Sequence, residues 1–177
     1  MFNKINIVGI VTGHLDTLRD ASTGEKSKAD GFLFLVIPLL VATLLLITGH
    51  ALKENLITIL LASYAILTGL LFNLLVLVFD LIRKEAEPQN VEEAVKLDWR
   101  QKQKLLKETF ASISFCVLEG ITLSVAALGA LLPWGCLKNT FSFLVYAVTV
   151  NFALTLLMIL KRIHKLLGAE IDSSTKG

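Results

Sequence analysis

Long apolar runs alternate with shorter polar stretches along this chain. Four runs stand out, at residues 31–48, 56–82, 110–132 and 141–160. An apolar helix of about 20 residues crosses the hydrocarbon core of a bilayer, and a helix satisfies its own backbone hydrogen bonds there. The pattern therefore predicts an all-α, four-helix transmembrane protein. Ahead of the first run, Ile5, Val8, Val11, Leu15 and Leu18 recur at three- and four-residue intervals. That spacing predicts an amphipathic helix over roughly residues 3–20, lying on the cytoplasmic surface of the bilayer or against the protein's own cytoplasmic helices. The polar stretch DASTGEKSKAD follows, with Asp30 placed to cap the first span. Its GEKS lacks the glycine spacing and Gly-Lys-Ser order of a phosphate loop. Residues 1–30 thus form an N-terminal cytoplasmic segment and 31–177 a four-span domain.

Within the spans the polar positions repeat at helical spacing. Pro38 should bend the first span, which is otherwise featureless and suited to lipid. The second run is about 40 Å long as a helix, more than the hydrocarbon core, so it must tilt or project. Its Ala62, Gly69, Asn73 and Asp80 share one face, which suits close helix contact and interhelical hydrogen bonds. Pro88 ends that element, and Asn90 with Glu93 forms a capping pair for the next. No breaker separates Val91 from Leu132. A single helix of about 60 Å is expected, cytoplasmic over 91–109 and then forming the third span. Pro133, Trp134 and Gly135 make an outer turn, with Trp134 at interface depth. In the fourth span Thr140, Ala147, Asn151, Thr155 and Met158 share a face, and residues 168–177 read as an irregular tail.

Charge sets the orientation. Fifteen of the 17 Lys and Arg residues lie in the N-terminal segment, the connection between spans two and three, and the tail; only Lys53 and Lys138 lie in the other two loops. Both termini and the middle connection are therefore expected in the cytoplasm. The mean hydropathy of +0.69 agrees with an integral membrane protein. Cys116 sits within a span and Cys136 in an outer loop, so no internal disulfide is expected. His14, His50 and His164 lie in separate segments without ligand spacing, and no metal or other cofactor is expected. No nucleophile, base and orienting group converge, so catalysis is not expected; Ser112 and Ser114 should bond to their own helix backbone.

The candidate chemistry lies on the third span. Glu119 is a carboxylate near its middle, where insertion costs about 2.5 kcal/mol or more. Ser112, Thr122 and Ala126 flank it, and Glu108, Lys104 and Gln101 continue the face downward. A helix lining a water-filled path in a symmetric oligomer has this pattern. So does a bundle core in which Glu119 is protonated and bonded to Asn73, Asn151 or a hydroxyl. Near the start of the same helix, Arg100, Lys102, Lys104 and Lys107 cluster beside Trp99. They could attract anionic headgroups, bind a phosphate chain with a base stacked on the indole, or simply supply inside-positive charge. Arg19, Lys26 and Lys28 could join that site from beneath the bundle.

Three features carry a family resemblance: HLDTLRDASTGEKSKAD before the first span, ILTGLLFNLLVLVFDLIRK in the second, and the long charged helix feeding the third. In layout the chain resembles the membrane effector of the Hailong type of anti-phage defence. That resemblance implies a homotetrameric channel in the bacterial inner membrane. A partner nucleotidyltransferase would make a short deoxy-oligonucleotide that holds the channel shut, and loss of the ligand would depolarise the infected cell. No ligand residue carries over by motif. The membrane component of the Kiwa system and phage-exclusion membrane proteins share the layout. Small four-span multidrug exporters also use one membrane glutamate, in the first span rather than the third. A proton-coupled transporter using Glu119, and a scaffold with residues 90–107 as a docking helix for a cytoplasmic partner, are the alternatives.

Overall fold

The computed structural model describes residues 7–18, 28–49, 52–84, 93–132 and 137–175. They form five helices: α1 (Ile7–Asp16), α2 (Lys28–Ile47), α3 (Glu54–Lys84), α4 (Glu93–Leu131) and α5 (Leu137–Thr175). There is no strand among the described residues. Three stretches, Glu54–Lys84, Val95–Leu131 and Leu137–Gly168, are long and apolar enough to cross a membrane. The apolar part of α2, Gly31–Ile47, is shorter, about 25 Å at the standard rise.

Helix α4 is the hub. It packs against α3, α5 and α1, whereas α2 packs on α5. The packing follows from two seven-residue repeats. Ile57, Tyr64, Leu71 and Val78 turn one stripe of α3 inward, and Val145, Phe152 and Ile159 do the same for α5. A seven-residue repeat keeps one seam of a helix facing its neighbour over many turns. On α4 the buried side chains include the small Cys116, Ala126, Ala127 and Ala130, which allow close approach on two sides. Gly120 marks the closest approach to α3: the Thr68 side chain occupies the place where a Cβ would stand. The Tyr64 hydroxyl pairs with the Thr149 hydroxyl at 2.6 Å and so links α3 to α5. Helix α2 stops at Gly49, whose φ of 75° suits a residue without a Cβ; its N–H bonds to the Leu46 carbonyl.

Several expectations are corrected here. Residues 168–175 continue α5 rather than forming an irregular tail; without a proline, each added residue gains a hydrogen bond at little nucleation cost. Asp30 lies inside α2, which starts at Lys28, so it is not the cap. Helix α2 is not featureless toward its neighbours: Pro38 and Ala42 are buried. The face of α3 carrying Ala62, Gly69, Asn73 and Asp80 is exposed along its length and takes no part in the chain's buried core. The apolar stripe at 57, 64, 71 and 78 occupies the inward side, so the polar face must point away. In α1, Val8 and Leu15 are 71% and 50% exposed, while His14 and Leu18 are buried. The helix docks through the His14 ring together with Leu18, so only part of its apolar stripe is covered. Ile5, Pro88, Asn90, Trp134 and Cys136 lie outside the described residues.

Candidate functional site

The polar groups gather on the α4–α5 seam at two levels. Near the middle of α4, Glu119 is 5% exposed and faces α5. Asn151 donates from Nδ2 to Glu119 Oε1 at 2.6 Å. The other ends of the same carboxyl and amide, Glu119 Oε2 and Asn151 Oδ1, are buried with no hydrogen-bond partner. Thr155, one turn along α5, is fully buried and returns its hydroxyl to the Asn151 carbonyl at 2.9 Å. Cys116, one turn back on α4, is a free, buried thiol. Asn73 takes no part, because it points outward from α3.

Nearer the start of α4, Arg162 of α5 ties three helices together. Its Nη1 donates to the Glu108 carbonyl at 2.9 Å and to the Ser112 hydroxyl. Its Nη2 donates to the Thr17 carbonyl, just past α1, at 3.0 Å and lies 3.8 Å from the Glu108 carboxylate. Lys104 stands 4.0 Å from the other Glu108 oxygen. The Arg162 side chain is 11% exposed, so its donors are largely removed from water. A guanidinium in such a place holds several acceptors in one plane, which a lysine cannot do. Ser112 also bonds to the Glu108 carbonyl at 2.9 Å, and Ser114 to that of Phe110 at 2.8 Å.

Beside this knot, His14 stacks on Phe115 of α4 with centroids 4.1 Å apart and planes 4° apart, and meets Phe34 edge-on at 6.0 Å. Burial, and after it the positive charge of Arg162, bring the His14 pKa down from 6.5 to about 4. The ring is therefore neutral at pH 7. It acts as a flat plug between α1, α2 and α4.

Near the start of α4, one face of the helix opens onto a cavity of about 360 Å³. Trp99, Arg100, Gln103, Lys104, Lys107 and Glu108 line it. Trp99 Nε1 is buried without a hydrogen-bond partner. An indole surface with cations on the next two turns offers stacking and anion contacts together.

The seven residues expected to line a path do not share an open face. Glu119, Ser112 and Ala126 are buried inside the chain's own bundle, Glu108 is half-buried, and Gln101, Lys104 and Thr122 are exposed. The cause is rotation of α4: it carries neighbours on three sides, so most of its mid-span surface is covered. Of the residues expected to bind an anion, Trp99, Arg100, Lys104 and Lys107 meet at the cavity. Lys102 does not line it, since its register puts it on the other side of the helix. Lys28 begins α2, and Arg19 and Lys26 lie outside the described residues. Arg162 and His14 are the residues that sequence reading passed over. Arg162 looks like an ordinary cation after a span, and only its seven-residue offset from Thr155 hints that it stays on the inward face of α5.

Among described residues, no group of His, Cys, Asp and Glu side chains is arranged to hold a metal. No known protein family, curated protein or solved structure matches the chain.

Proposed function

We propose that this chain is a four-span subunit of a homotetrameric, ion-conducting effector in the bacterial inner membrane, gated at its cytoplasmic face by an anionic nucleotide or oligonucleotide. Helix α2 would be the fourth span, and both termini would be cytoplasmic. The observation that carries the reading is the Trp99 cavity: its cations sit on the same unbroken helix that reaches the Arg162 knot and Glu119. A ligand drawing on Lys104 would compete with Glu108 for that cation and so act on the knot directly. Because Glu119 and Ser112 are buried, the conducting path is assigned to the outward face of α3, where Asn73 and Asp80 are exposed. Polar and small residues on that face also suit contact between copies. Its biological setting, following the layout resemblance, is anti-phage defence by depolarisation and abortive infection.

Purified protein in planar bilayers should conduct, and a short single-stranded deoxy-oligonucleotide should alter that conductance. Trp99→Ala should weaken oligonucleotide binding by about tenfold or more, given ~1–3 kcal/mol per stacked base. Folded protein that leaves bilayers silent with and without oligonucleotide would overturn the reading.

A second reading is a proton-coupled transporter, favoured by the burial of Glu119 against Asn151. Uptake of a lipophilic cation driven by a pH gradient, lost in Glu119→Gln, would select it over the channel.

A further inference from the structure

The Glu119–Asn151 contact leaves a specific imbalance. The carboxyl and the amide share one hydrogen bond, from Asn151 Nδ2 to Glu119 Oε1. Their remaining atoms, Glu119 Oε2 and Asn151 Oδ1, are both oxygens, both buried and both without a donor. With Glu119 ionised, α4 would carry a charge in the bundle interior opposed by a single amide N–H. Two bare acceptors would stand in the same contact, each costing roughly 1–3 kcal/mol. A single added hydrogen removes both defects. We propose that Glu119 and Asn151 form a cyclic acid–amide pair that binds one proton between α4 and α5.

In this pair Asn151 Nδ2 donates to Glu119 Oε1, and the Glu119 Oε2 hydroxyl donates to Asn151 Oδ1. The ring is neutral and uses every polar atom of the two side chains' facing edges. Among the described residues the Thr155 hydroxyl is a rival donor close to Glu119, but the Asn151 carbonyl already holds it at 2.9 Å. On α4 the nearby titratable group is Cys116; α5 presents the neutral Asn151 and Thr155; α3 brings Tyr64, already paired with Thr149, and the neutral Thr68 hydroxyl against Gly120. No basic side chain among the described residues is bonded to Glu119. Proton release breaks the Glu119 O–H bond and passes the proton to water. It leaves two oxygens face to face and so weakens the α4–α5 seam at mid-depth. The site makes the seam responsive to proton supply whether the chain conducts ions or transports a solute.

Infrared difference spectroscopy of the protein in lipid tests this without reference to conductance. At neutral pH the wild type should show the C=O band of a hydrogen-bonded, protonated carboxyl. The band should vanish in Glu119→Gln. In Asn151→Leu it should persist but shift upward, because the acid has lost its amide partner. Glu119→Gln should also fold with an unchanged melting temperature, since its amide can form the same two-bond ring with Asn151. Absence of a protonated-carboxyl band in folded wild-type protein, or a band untouched by Glu119→Gln, would overturn the proposal.

Discussion

Two sets of polar residues run along helices of this protein, and they meet opposite fates. On α4 and α5, Glu119, Ser112, Asn151, Thr155 and Arg162 turn inward and bond to one another or to backbone. On α3, Ala62, Gly69, Asn73 and Asp80 turn outward, and nothing lies within 4 Å of where a Gly69 Cβ would stand. Both sets have helical spacing and both include an amide near mid-span. The difference teaches that in an apolar solvent a polar stripe does not by itself choose the inside of a subunit. Lipid is as apolar as leucine, so helix association rests on packing and on hydrogen bonds that find partners. The inward set finds them within one chain. The outward set must find them in another chain or in water.

The contrast is broken most strongly at Arg162. Arg162→Ala removes donors to Thr17, Glu108 and Ser112 and leaves the Glu108 carboxylate facing the bundle. Stability should fall by about 2–3 kcal/mol, since hydrogen bonds from a charged donor are lost while the half-buried Glu108 keeps Lys104 beside it. Thermal unfolding in detergent measures this, and Arg162→Lys should recover little of it because one ammonium cannot span those acceptors. Loss of only a few tenths of a kcal/mol would mean the knot is incidental.

Acid should act next, through His14. The docked ring has a pKa of about 4 and the free ring 6.5, so the undocked state takes up a proton that the docked state refuses. Docking of α1 is therefore intact above pH 6.5 and weakens as the pH falls toward 4. Amide protection factors across α1, corrected for the intrinsic pH dependence of exchange, should fall over that window. His14→Phe keeps an aromatic plug without a titrating group, and in that variant the pH dependence should disappear.

The two amides sharpen the comparison at the smaller end of the scale. Asn151→Leu should cost about 1–3 kcal/mol of subunit stability, because Glu119 loses its partner in the interior. Asn73→Leu touches no contact within the subunit and should stay within about 0.5 kcal/mol. Its effect should appear instead in the oligomer distribution in native gels or light scattering. Equal stability losses for the two variants would erase the distinction between an inner and an outer polar face.

How much of this was readable in advance differs from residue to residue. The apolar runs anticipated α3, α4 and α5, and the lack of any breaker after Val91 anticipated the unbroken α4. The grouping of Trp99, Arg100, Lys104 and Lys107 follows from positions one turn apart on one helix. Asn151 stood among three candidate partners for Glu119, and sequence could not choose between it and Asn73. Arg162 was hidden because cations after a span are expected for topological reasons alone. Its bonds reach α4 and the end of α1, 50 residues or more away in the chain.

Sequence by itself determined where the long apolar helices run, though not their ends, and which side chains share a face on each, because the 3.6-residue turn fixes those angles within one helix. Only the tertiary structure decided which way each face points. That rotation is set between helices, by the fit of Thr68 against Gly120, of the Ile57–Val78 stripe against α4, and of Asn151 against Glu119. In a chain whose helices are apolar nearly all round, no hydrophobic gradient forces one rotation over another, so contact geometry makes the choice.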